Sequence, residues 1–155
     1  MMTSRVPAAV DAFLAILRAA PNLSEVDIVD GPPVTDLTIA KRIHVGWQPG
    51  ESMAVPLTQD FNSAGARTRD EDFTINGYAE AWAGDTDMQA RRTEVFALLG
   101  EVEIALRATN EAPNAPTLNG TVLWAHLTAG DLTQAQTTDG SMAGVAFAVT
   151  CRSRI

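Results

Sequence analysis

The sequence predicts an α+β fold within the broader α/β class, with two amphipathic helices and a mostly antiparallel sheet. Three observations predict it. Two stretches, near residues 6–17 and 88–106, carry apolar side chains at helical spacing. Several shorter segments between and after them alternate with period two or form short apolar runs. Clusters of Gly, Pro, Asn and Asp separate those segments, and the closing strands read as a β-meander.

Val6, Val10, Phe13, Leu14 and Leu17 lie on one face of a first helix. Thr3 or Ser4 can cap it, Pro7 sits early enough to cost no hydrogen bond, and Pro21-Asn22 ends it. Asp11 and Arg18 then point to water. Val26, Ile28 and Val29 read as a short strand, broken at Asp30-Gly31-Pro32-Pro33. Ile43 and Val45 to Trp47 read as a second. Residues 54–61 read as a third, confined by Pro56 to an edge or an irregular start. Residues 62–72 are polar and charged and predict a loop or extended arm.

Phe73 to Ala83 is the longest strand candidate. Phe73, Ile75, Gly77, Ala79 and Ala81 share one face, small enough for a helix to lie close. Thr74, Asn76, Tyr78, Glu80 and Trp82 share the other, a partly wet or intersubunit face. Asp85 or Thr86 caps a second helix running to about Thr109, with Met88, Val95, Leu99, Val102 and Leu106 as its stripe, widened by Phe96 and Leu98. Residues 110–119 read as a linking loop. Residues 121–128 and 132–138 read as strands joined by a turn at Ala129-Gly130-Asp131. Asp139-Gly140 marks a further hairpin, and residues 144–152 alternate cleanly. No internal repeat or domain boundary interrupts residues 1–155, which read as a single domain.

The chain has 155 residues and a net charge of −8, which repels nucleic-acid phosphates and anionic membranes. Aromatic residues make up only 6% of it, and much of the apolar share is alanine, so the core should be shallow and completed in part by a neighbouring subunit. The single cysteine, Cys151, permits no internal disulfide. No apolar run reaches membrane-spanning length, and the N-terminal stretch reads as a surface helix, not a signal peptide.

No catalytic motif stands out. His44 and His126 read as ordinary strand histidines, and no ligand spacing calls for a metal. Cys151 paired with either histidine would make a thiol nucleophile, but its strand position suits a small core residue. The acids at 70–72 and 85–87 lack the pattern of a calcium loop. No phosphate loop and no dinucleotide fingerprint is present. Three classes stay open: a self-assembling structural protein, a small enzyme or ligand-binding domain centred on a histidine, and a protein-binding module using Tyr78 and Trp82.

A resemblance orders these. Val26-Asp27-Ile28-Val29-Asp30-Gly31-Pro32-Pro33, Ile43-His44-Val45-Gly46-Trp47, residues 65–75, Trp82-Ala83-Gly84-Asp85-Thr86-Asp87 and Phe147-Ala148-Val149-Thr150-Cys151-Arg152 resemble, in the same order, segments of the tail-terminator (tail completion, or minor tail) proteins of long-tailed actinobacterial phages and prophages. The chain departs from that pattern at the longer loop 110–119. The resemblance implies helices packed on one face of a curved sheet. It implies a homo-hexameric ring on the head-proximal end of the tail tube, assembled in the bacterial host cytoplasm and carried in the neck of the virion. The implied partners are the ring's own copies, the tail tube protein and a head-completion or connector protein. DNA passes through without specific binding, no membrane is involved, and no cofactor or catalytic residue is implied. Arg67 and Arg69 directly before Asp70, Glu71 and Asp72 suit a contact in which one copy's arginines meet the next copy's acids. With Asp60 and Phe61 before that arm, and Tyr78 and Trp82 after it, they make up the expected interface.

Overall fold

The structure, a computed structural model, describes residues 2–33, 40–50, 53–65 and 67–155, with the backbone alone at Ala129. It is an α+β fold with, among the described residues, two α-helices, α1 (Val6–Ala19) and α2 (Met88–Ala105). Among the described residues, six strands form one sheet: β1 (Asp27–Asp30), β2 (Lys41–Val45), β3 (Leu57–Phe61), β4 (Arg69–Ala83), β5 (Trp124–Thr137) and β6 (Gly140–Arg154). The order is β1-β2-β4-β6-β5, with β3 also on β4. Among the described residues only the β1–β2 pairing is parallel, so the sheet is mostly antiparallel.

β4 is the spine. β6 pairs with it from Asp70 to Ala83 along one edge. The other edge is shared: β3 takes Arg69 to Phe73 and β2 takes Gly77 to Ala81. Between them the chain still touches β4, through Asn76 N to Ala54 O and Thr74 N to Pro56 O, both 3.1 Å.

The alternation in β4 sorts its side chains between two environments. Phe73, Ile75, Ala79 and Ala81 are buried in one cluster with Phe13, Leu14 and Leu17 of α1, Val95, Leu98 and Val102 of α2, and Val145, Phe147 and Val149 of β6. Named contacts place both helices on this side. The Arg5 amide at the start of α1 meets Glu71, and Arg92 of α2 donates to Gln134 of β5 at 2.8 Å. β3 contributes nothing to the buried cluster.

Several elements differ from the sequence reading. Arg69 to Asp72 are not loop: they open β4, paired with both β3 and β6. Ala129-Gly130-Asp131 is not a turn. β5 runs straight through it, with a register shift between Leu127 and Ala129 that leaves Thr128 unpaired. A bulge exchanges the sheet face of every later residue, so Leu127 and Leu132 face the helix side while the parity of the strand flips between them. α2 ends at Ala105 and is capped by Asp87, whose Oδ1 accepts from Ala90 N at 3.0 Å. Its buried residues are Arg91, Val95, Leu98 and Val102, whereas Phe96 is exposed. Arg91 takes a core-side position because Glu94 at 3.1 Å and Asp85 at 4.0 Å partly neutralise it. Arg18 does not simply point to water, since it donates to Ile28 O at 3.2 Å and ties α1 to β1.

Candidate subunit interface

The β3 end of the sheet gathers most of the residues singled out in the sequence. Pairing sets Asp60 beside Asp70 and Arg154 in one row, and Thr58, Asp72, Arg152 and Trp124 in the next. All lie on the face opposite the helices. Arg154 Nε donates to Asp70 Oδ1 at 2.8 Å. Arg152 stands 3.7 Å from Asp70 and 3.4 Å from Asp72. The bond from Arg154 holds the Asp70 carboxyl below its ordinary value, and Asp70 in turn raises Arg154. Trp124 stacks on His126 at 4.9 Å beside this ladder.

The acids are therefore served by Arg152 and Arg154 of their own chain. Among the described residues, Arg67 and Arg69 enter no ion pair. The sequence carried a signal for the true partners, since Arg152 and Arg154 alternate on one face of the last strand. What it lacked was the register that sets them beside Asp72 and Asp70.

Glu71 leaves the interface set. Its neighbours in sequence face the open side, but Glu71 faces the helices and is fully buried. Its carboxylate accepts from Arg5 N at 2.8 Å, Gln59 Nε2 at 2.6 Å and Ser153 Oγ at 3.1 Å. A carboxylate at the start of α1 also meets the positive end of the helix dipole. Glu71 thus helps build the fold itself.

Phe61 is the opposite case. It is 69% exposed at the end of β3, and Leu57 of the same strand is 45% exposed. Tyr78 and Trp82 share a face yet have different fates. Tyr78 is buried, its hydroxyl 3.4 Å from Thr133 Oγ1 and its ring edge-on to Trp47 at 5.8 Å. Burial pushes its phenol up. Trp82, at the far end of β4, stays 39% exposed.

The histidine readings separate geometrically. His44 is fully buried beneath Trp47, with Nδ1 3.1 Å from Gly31 O and Nε2 3.5 Å from Glu80. Arg42 approaches the same Glu80 at 3.8 Å, and among the described residues its Nε and Nη2 have no hydrogen-bond partner. Cys151 packs on the helix side, paired with Phe73 and Ala125, while His44 and His126 lie on the other face. Burial raises its thiol to about 12, so at neutral pH it is a small core residue, not a thiolate.

Among the described residues, no group of three or more His, Cys, Asp or Glu side chains could hold a metal ion, and no helix is long and apolar enough to cross a membrane. Comparison with protein-family models and with curated proteins yields no match for this chain.

Proposed function

We propose that this protein is a ring-forming structural subunit that caps the head-proximal end of a phage tail tube. It stops tube growth and joins the tail to a head-completion protein. Its partners are further copies of itself, six in the ring, together with the tube protein. DNA threads the ring without specific binding, and the chain works in the virion after assembly in the bacterial host cytoplasm. The role is one of shape and contact, with no turnover.

The observation that carries this reading is Phe61. A phenylalanine on an edge strand, 69% exposed, forgoes most of the roughly 1.5–3 kcal/mol that burial of its side chain supplies. Arg69, its pairing partner on β4, and Gln59, two residues along β3, border it with polar groups on the same face, while Asp60 and the Asp70–Arg154 pair lie on the opposite face. An apolar centre with a polar rim is the anatomy of a protein contact. Leu57 on the same strand enlarges it.

The test is mass in solution with negative-stain imaging of the purified protein, alone and with tail tubes. Rings, and rings seated on tube ends, are expected. A wild-type chain that stays monomeric at every concentration and never appears on tubes would sink the proposal. Placement along the particle by cryo-electron microscopy separates a terminator from another neck or tube subunit.

A further inference from the structure

A ring contact needs two unlike surfaces, and the β3 patch is only one of them. The sheet supplies a second at its opposite side. β5 is fourteen residues long and borders the sheet. Residues 131–139 are all exposed. Among the described residues, no backbone hydrogen bond from another segment reaches the outer edge of β5 or of β3. Such edges are usually blunted by proline, by lysine or by brevity. From Trp124 to Thr137 there is no proline, lysine or arginine, and the one bulge lies at Thr128, leaving the later half regular.

Strand directions make the two edges compatible. β3 is antiparallel to β4, β4 to β6, and β6 to β5. β3 therefore runs opposite to β5. Copies placed head to tail, with their sheets continuing, set β5 of one against β3 of the next in antiparallel orientation.

Side-chain faces then restrict the register. Beyond the bulge, Gly130, Leu132, Gln134 and Gln136 take the helix side. On β3, Leu57, Gln59 and Phe61 do so. Keeping the helices of both copies on one side requires even residues of β5 opposite odd residues of β3. One such register sets Leu132, itself 38% exposed, directly opposite Phe61. It also sets Gln134 opposite Gln59, Thr133 opposite Asp60 and Ala135 opposite Thr58. Asp131, the only acid of β5, falls beyond the five paired residues, so no like charges oppose each other. Directly opposed side chains have Cβ atoms about 4.5–5.5 Å apart, close enough for the leucine and the phenyl ring to cover each other.

We propose that residues 132–136 of one copy pair antiparallel with residues 57–61 of the next, with Leu132 opposite Phe61. This rests on the ring reading and names its contact.

Cysteine cross-linking tests it. Thr58→Cys and Ala135→Cys both fall on exposed positions, and the native Cys151 is buried. The double variant, oxidised with copper phenanthroline, should give a ladder of disulfide-linked oligomers on a non-reducing gel. Mixing the two single variants should give a linked dimer, and neither single variant alone should link. Thr58→Cys with Thr137→Cys, two residues out of register, should lose most of the linkage. Dimers from Ala135→Cys alone would show a two-fold β5–β5 contact and overturn the proposal, as would stronger linkage in the shifted pair. A wild type that sediments as a ring while the double variant fails to link overturns the pairing and leaves the ring. A wild type that is monomeric throughout overturns both.

Discussion

At the scale of single residues, Glu71 is the most consequential side chain. Burial alone would raise its carboxyl, but hydrogen bonds from Ser4, Gln59, the Arg5 amide and Ser153 outweigh it and hold the group below its ordinary value. A carboxyl depressed in the folded state contributes stability that is complete above its unfolded value, 4.5, and that is lost as pH falls through the folded value. Urea unfolding should therefore show a loss of stability below about pH 4.5. Asp70, also depressed, adds to the same acid limb, though it is partly exposed and its ion pairs are screened. Glu71→Gln should flatten that limb, and Glu71→Ala should cost about 2–3 kcal/mol at neutral pH because buried donors lose their acceptor. An unchanged acid limb in Glu71→Gln would show that other carboxylates set it. Gly144 is a second sensitive point. A Cβ there would collide with the Tyr78 hydroxyl. Gly144→Ala should destabilise by about 1–3 kcal/mol in the same assay.

At the scale of elements, α2 shows how a tertiary partner selects a helix face. Its two turns of possible apolar stripe compete, and the sheet takes the one carrying Val95, Leu98 and Val102. Leu98→Ala should cost about 2–5 kcal/mol, whereas Phe96→Ala on the exposed side should stay within about 0.5 kcal/mol. Equal effects in thermal or urea unfolding would refute this orientation. Gly100 has open space where a Cβ would go. Gly100→Ala should stabilise the protein by about 0.5–1 kcal/mol, since only backbone entropy changes.

At the scale of the whole molecule, the proposed self-association must overcome a charge of −8 on every copy. The proposed contact consists of backbone hydrogen bonds and one apolar pair, neither of which salt screens. The repulsion is screened, with a Debye length falling from about 30 Å at 0.01 M to about 8 Å at 0.15 M. Sedimentation should therefore show stronger self-association over that range of added salt. Weakening with salt would point instead to ion pairs, with Arg67 and Arg69 as the first suspects. Phe61→Glu should abolish association and leave the melting temperature of the monomer unchanged, because Phe61 is exposed and does not belong to the buried cluster.

Local periodicity alone determined much of this architecture. The two faces of β4, the stripe of α1, the hairpin at Asp139-Gly140 and the alternation of β6 depend on residues a few positions apart, so they were legible in the chain. The tertiary structure decided which charges meet and which surfaces stay open. Arg154 finds Asp70 across 84 positions, and Glu71 finds the amide of Arg5 across 66. The bulge at Thr128, the continuation of β5 through a glycine and the burial of Tyr78 beside Trp82's exposure have the same origin. Each depends on neighbours brought together by strand pairing, and pairing register is a property of two distant segments that neither one encodes by itself.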